Sequence, residues 1–328
     1  MNTVPVIDIA PFLAGDVAGR QRVASELARA AEQIGFFAIT GHGVPDSIVD
    51  ALHEQAHAFF DLPLAEKQRM APLAPTYPRG YQGVGFDALT TGNDPVTPPD
   101  LKECWRFGRE VIPNIPYFTG TAGRKHFFRN LWPERPAGFA RAAYSYYRAM
   151  EDVSAALCRI SALALGLREN WFADKLDRHI TAARINHYPR QEYPPAAGQL
   201  RDGPHTDGCM LAILSGEAEP GLQAQTRAGE WVDVATDPHQ FVCNVGDLLM
   251  RWTNDRWVSG THRVLNPRRE IAHTSSCMSI AFFFHPNYDA KIESIPGCAG
   301  TALPKYAPVL SGEFRDYDYH VTRPHKMV

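Results

Sequence analysis

The chain has 328 residues, 45% of them apolar and 21% charged, with a formal charge of −3. That is the composition of a globular protein, and the scattered basic residues exclude the electrostatic footprint of a nucleic-acid or anionic-membrane binder. No segment approaches the ~18 consecutive apolar residues needed to cross a bilayer.

The opening MNTVPVIDIAPF has neither the charged n-region nor the long apolar h-region of a signal peptide. VPVIDI (residues 4–9) reads as a short strand. Val23, Leu27, Ala31 and Ile34 recur at helical spacing and predict a helix from about Arg20 to Ile34, stopped by Gly35 and followed by the strand FFAIT. Asp46 is the expected N-cap of a second helix reaching Phe60. The Pro-, Gly- and Thr-rich stretch from Pro72 to Pro99 reads as a long loop. Its aromatics Tyr77, Tyr81 and Phe86, with Trp105 and Phe107 just beyond, either line a substrate pocket or pin the loop to the surface. The strongest helical pattern runs from Pro136 to Leu165, where Phe139, Ala143, Tyr146, Met150, Val153 and Leu157 form a core-facing stripe.

Beyond residue ~178 the texture changes to short apolar or alternating runs between turn residues: TAARINHY, CMLAILS, GLQAQT, EWVDV, QFVCNVGDLLMRW, WVSGTHRVLN and SCMSIAFFFH. Such spacing implies a β-sandwich or barrel. No GxGxxG follows a strand and no phosphate-binding GxxxxGK[ST] is present, so a nucleotide fold has no support. The six cysteines (Cys104, Cys158, Cys209, Cys243, Cys277, Cys298) include no CxxC pair, which suits reduced thiols in a cytoplasmic protein. The organisation read from these segments is a helical N-terminal region, 1–175, carrying a substrate-loop segment at 72–108. A β core follows at 176–290 and a C-terminal extension at 291–328, all one structural unit.

Within the β region stands GPHTDGCML. In an extended chain His205 and Asp207, two residues apart, project to one face and can reach one metal ion. His262, in SGTHRVLNP, lies on a later predicted strand. Two imidazoles and one carboxylate form the facial set of non-haem iron(II) oxygenases, which leaves positions open for a co-substrate and dioxygen. HxD alone suits a hydrogen-bonded pair at a strand end better than a metal site, because thirteen histidines make chance pairings easy.

The blocks VPVIDI, GFFAITGHGVP, RGYQGVG, KECWRFG, RINHYP, PHTDGCMLAIL, NVGDLLMRWTNDRWVSGTHRVLNP and SIAFFFHPNYDA occur in order along nearly the whole chain. In this the sequence resembles the isopenicillin N synthase-like group of 2-oxoglutarate/Fe(II) dioxygenases. The resemblance implies a mainly β fold, with a double-stranded β-helix (jelly-roll) core flanked by α-helices and a helical N-terminal half. It implies Fe(II) on His205, Asp207 and His262, with 2-oxoglutarate and O2 as co-substrates. Asn186 and Tyr188 stand as the group's Asn-x-Tyr, the tyrosine hydrogen-bonding the distal carboxylate of 2-oxoglutarate. The implied reaction is hydroxylation, desaturation or ring closure of a small molecule through a ferryl intermediate, by a monomer or weak homo-oligomer. Phe283, on the SIAFFF strand, joins the candidate pocket residues.

One position departs from the pattern. The group carries Arg-x-Ser ahead of the SIAFFF strand, the arginine pairing in a fork with the co-substrate carboxylate. Here the triplet is Cys277-Met278-Ser279. Arg184 shares strand parity with Asn186 and Tyr188 and either replaces the missing cation or makes a structural ion pair; Arg251 and Arg263 are weaker substitutes. The alternatives are a 2-oxoglutarate-independent oxidase of the isopenicillin N synthase type and a catalytically weakened metal-binding jelly roll.

Overall fold

The computed structural model describes residues 3–74, 76–86, 98–300 and 303–322, with backbone alone from 317. Residues 87–97 of the predicted substrate loop and 323–328 of the C-terminal extension lie outside the described residues. The strands, in chain order, are β1 (Val6–Asp8), β2 (Phe36–Thr40), β3 (Gly80–Gln82), β4 (Glu103–Gly108), β5 (Ala182–Tyr188) and β6 (Asp202–His205). Then come β7 (Leu211–Gly216), β8 (Leu222–Gln225), β9 (Trp231–Asp233), β10 (Phe241–Val245), β11 (His262–Val264) and β12 (Cys277–Phe284). These twelve strands form two sheets, an eight-stranded one of order β1-β2-β10-β7-β12-β5-β4-β3 and a four-stranded one of order β6-β11-β8-β9, and Lys291–Ile292 and Val309–Leu310 pair in a separate two-stranded sheet. The fold is mixed α/β. The N-terminal half contributes four strands to the larger sheet as well as the helices that cover it.

Three helices cover one face of that sheet: Val17–Gln33, Asp46–Phe60 and Phe139–Ala164. The first starts three residues earlier than its apolar stripe predicts, because the Asp16 side chain accepts hydrogen bonds from the N–H groups of Ala18 and Gly19. Asp46 proves to be the first helical residue; Pro45, in extended conformation, is the cap. The run QFVCNVGDLLMRW divides into β10 and a helix, Asp247–Trp252.

Strand alternation sorts the larger sheet into two faces. Ile185 on β5, Ile213 on β7, Cys243 on β10 and Met278, Ile280 and Phe282 on β12 join the helices in the main core. Their neighbours one residue away line a cavity between the two sheets, about 760 Å³ of empty space with its solvent-filled mouth included. Burial on both faces explains why β12 reads as a nearly unbroken apolar run.

Candidate metal centre

His205 ends β6 and His262 opens β11; the two strands are antiparallel, and these residues face each other in register. Their rings lie 4.2 Å apart, centroid to centroid. Asp207 follows β6 by two residues, its Oδ1 4.0 Å from His205 Nε2 and its Oδ2 3.8 Å from His262 Nε2. One ligand atom from each of the three lies within 4.8 Å of the others, the spacing a single ion would bridge.

The surroundings orient each group. His205 Nδ1 lies 2.8 Å from the Gly203 carbonyl and His262 Nδ1 3.1 Å from the Gly260 carbonyl. A carbonyl only accepts, so each Nδ1 carries the proton and each Nε2 turns its lone pair inward. Asn244 Nδ2 on β10 donates to Asp207 Oδ2 at 2.8 Å. Burial acts to raise the Asp207 pKa, but His262, His205 and the Asn244 bond outweigh it and hold the carboxyl below its ordinary value. Burial, together with the neighbouring His262, lowers His205 to about 4, so its imidazole is neutral at pH 7 and able to ligate. Gly246 lets two segments meet here: a Cβ on it would lie 2.1 Å from the Cys209 carbonyl and 2.7 Å from that of Asp207. The N–H of Asp247 then donates to the Asp207 carbonyl. Asn244, Gly246 and Asp247 all fall within the NVGDLLMRW block, and sequence reasoning assigned none of them a role. Their signal is a polar pair flanking a glycine directly after a buried strand.

The donor set, two imidazoles and a carboxylate facing a cavity, fits Fe(II). The rest of the cavity fits a small chelating acid. Arg184, Asn186 and Tyr188 of β5 and Cys277, Ser279 and Phe283 of β12 all line it. Across the strand pair, Asn186 faces Ser279 and Tyr188 faces Cys277. Asn186 Nδ2 reaches Ser279 Oγ at 3.4 Å, whereas its buried Oδ1 has no hydrogen-bond partner among the described residues. That acceptor, on the cavity wall, is free to meet a bound molecule.

The comparisons with known proteins decide the family. Residues 4–135 match the N-terminal domain described as non-haem dioxygenase in morphine synthesis, and residues 180–286 match the 2OG-Fe(II) oxygenase superfamily. The 2-oxoglutarate-Fe(II) type oxidoreductase hxnY of Emericella nidulans is 32% identical, across 93% of this chain and 86% of its own length. This chain belongs to the 2-oxoglutarate/Fe(II)-dependent oxygenases. It is also similar to a homoarginine-6-hydroxylase of Oryza sativa, 30% identical over 95% of both chains. Among solved structures, a full-length Neurospora crassa protein in complex with alpha-KG superposes with a TM-score of 0.83 at 28% identity, covering 98% of this chain and 96% of that one. Fe(II) and 2-oxoglutarate are therefore the cofactors of this oxygenase, a non-haem dioxygenase.

The expected pocket aromatics divide sharply. Phe283 lines the oxygenase cavity, with the Arg184 guanidinium 5.1 Å from its ring centre. Tyr81, Trp105 and Phe107 do not line it; they lie in the main core, Tyr81 against Phe59, Trp105 against Phe59 and Phe139, and Phe107 against Trp132 and Tyr147. The reason is parity. On β4, Cys104 and Arg106 pair with the cavity-facing Asn186 and Arg184, so Trp105 and Phe107 turn to the helices. The Tyr81 hydroxyl is bound to the buried Glu103, which also holds Lys67 and His187. Tyr77 is tied to the Arg129 carbonyl and to the Phe128 ring, so it pins the loop. Phe86 is half-buried and is likewise not part of the cavity wall. Arg263 points away from the metal centre, 4.0 Å over the Trp231 ring, and Arg251 donates to the Ala307 carbonyl.

Proposed function

We propose that this oxygenase hydroxylates a small molecule held beside His205, Asp207 and His262. These three residues are its Fe(II) ligands, and the two sheets form the double-stranded β-helix core of the family. The observation that carries the reading is the convergence of two backbone-oriented Nε2 atoms and one carboxylate on a common point at the cavity wall. When bound, Fe(II) and 2-oxoglutarate supply the activation of O2, with the keto acid decarboxylated to succinate and a substrate C–H bond oxidised.

The protein's part is orientation. Asn244 holds the carboxylate ligand in place. Tyr188 and Ser279 receive the distal end of the keto acid, and burial keeps the Tyr188 phenol protonated and able to donate. Phe283 and Arg184 face the substrate. Hydroxylation is favoured over desaturation and ring closure because curated relatives are named homoarginine-6-hydroxylase and proline hydroxylase. A small substrate agrees with the complex of the same Neurospora crassa protein that contains thymine. No helix of the described residues is long and apolar enough to cross a membrane. The free cysteines suit the reducing cytoplasm, and nothing in the reaction requires more than one chain.

The test is O2 consumption by the iron(II) protein with candidate substrates, monitored for succinate. Equimolar succinate and hydroxylated product are expected, and His205→Ala should abolish both. Oxygen uptake with no dependence on 2-oxoglutarate would refute the reading.

A further inference from the structure

The cysteine that stands on β12 in place of an arginine has a guanidinium against it, that of Arg201. We propose that Arg201, immediately before β6, provides the positive charge for the distal carboxylate of 2-oxoglutarate, acting across Cys277. This inference rests on the reading of the cavity given under Proposed function.

Arg201 is 0% exposed. Its Nη1 lies 3.4 Å from Cys277 Sγ, and its Nη2 donates to the carbonyl and hydroxyl of Ser275, both at 3.0 Å. Its Cζ stands 5.9 Å from the centre of the Tyr188 ring. Cys277 and Tyr188 face each other across β12 and β5, and both line the cavity, with Ser279 two residues further along the strand. The guanidinium thus sits directly behind the part of the wall that meets the distal carboxylate.

Its charge is poorly compensated. The ion pair open to it among the described residues is with Glu219, at the outer limit of 4.0 Å, and that carboxylate is itself partly exposed and accepts from the Ser275 hydroxyl. Arg201 Nε is buried and has no hydrogen-bond partner among the described residues. A guanidinium taken wholly out of water is tolerated when a close anion meets it, and Glu219 meets this one only at a distance. A second carboxylate arriving at the Tyr188–Cys277 wall completes the compensation.

Size links the two positions. An arginine at 277 would need the space that the Arg201 guanidinium fills, whereas a cysteine leaves it free. Burial pushes the Cys277 thiol up to about 11, so it is protonated. It can accept from Arg201 Nη1 while donating its S–H to the carboxylate. Arg184 also lines the cavity; its guanidinium lies over Phe283 and its charge reaches Asp207 as well as Tyr188, so it serves the metal side of the cavity while Arg201 stands behind Cys277.

The experiment is an anaerobic titration of the iron(II) protein, read by the metal-to-ligand charge-transfer band. It uses 2-oxoglutarate and 2-oxopentanoate, which keeps the chelating head and replaces the distal carboxylate by a methyl group. Arg201→Met should weaken 2-oxoglutarate roughly 30-fold or more and leave 2-oxopentanoate within about twofold. Adding Cys277→Arg to that variant should restore the preference for 2-oxoglutarate. Cys277→Leu, which keeps Arg201 but thickens the apolar wall before it, should lose 2-oxoglutarate selectively. It decides the matter alone if Arg201→Met fails to fold. An unchanged ratio between the two acids, or an equal loss of both, overturns the role of Arg201. If the wild type binds neither acid, it is the oxygenase reading that fails.

Discussion

Asn244→Ala removes the donor that lies 2.8 Å from Asp207 Oδ2 and leaves every ligand atom in place. Asn244 is 5% exposed, so bulk water does not simply take over its role. A hydrogen bond to a charged acceptor contributes about 1.5–3 kcal/mol net. Loss of a group that orients a metal ligand typically lowers metal affinity ~10–100-fold, equivalent to about 1.4–2.8 kcal/mol. The two ranges coincide, so a drop of that size in Fe(II) affinity is expected. The bond also helps to hold the Asp207 carboxyl below its ordinary pKa. Because that carboxyl starts below its ordinary value, the loss should be about the same at pH 6 and at pH 8. Anaerobic calorimetric titration with Fe(II) at both pH values measures this, with a melting curve to confirm the fold. An affinity within twofold of wild type in a folded variant would refute the assignment of Asn244, and with it the placement of the metal on Asp207.

Three further outcomes follow from the packing and the buried charges. Trp105→Ala should cost about 3–5 kcal/mol in urea unfolding and leave KM unchanged, because Trp105 is fully buried among the helices; Phe283→Ala should instead raise KM with a smaller stability loss. The reverse pattern would restore Trp105 to the pocket. Lys67→Met strands Glu103, which is 4% exposed, and should cost about 3–5 kcal/mol; a loss below about 1 kcal/mol would show that the cluster carries no such strain. Burial and the neighbouring Asp202 push the Asp100 carboxyl up to about 7, so between roughly pH 4 and 7 it keeps a proton that the unfolded chain has released. Stability relative to Asp100→Asn should therefore fall as pH rises through that window, by at most about 1.4 kcal/mol per unit, and level off above pH 7; a constant difference from pH 5 to 8 would contradict this.

The candidate metal ligands could be picked out in the sequence because two local facts suffice to bring them forward. An i, i+2 pair shares a face in an extended chain, and the THRVLNP block supplies a third ligand on a strand of its own. The common face of Arg184, Asn186 and Tyr188 was also within reach, since strand parity alone puts them together. The loop aromatics were misplaced for the same kind of reason. Composition marked Trp105 and Phe107 as pocket candidates, but which face of β4 meets the cavity depends on its register with β5, a non-local pairing. QFVCNVGDLLMRW reads as one apolar run, and the turn at Gly246 becomes visible only once the Cys209 and Asp207 carbonyls stand against it. Arg201 gave no local signal at all. Its position before β6 says nothing of Cys277, 76 residues away.

The two parts of the site differ in how freely they can be rebuilt. A metal requires three donor atoms at fixed distances around one point, and each lone pair here is aimed by a backbone carbonyl or by Asn244, so no neighbouring residue can stand in for a ligand. A carboxylate needs only a positive charge within a few ångströms, and in a buried cavity the direction from which that charge arrives matters little. Substitution is therefore expected at the anion end and not at the metal end. The proposed site has that distribution: His205, Asp207 and His262 grouped around one point, and a cysteine at 277 with a fully buried arginine behind it.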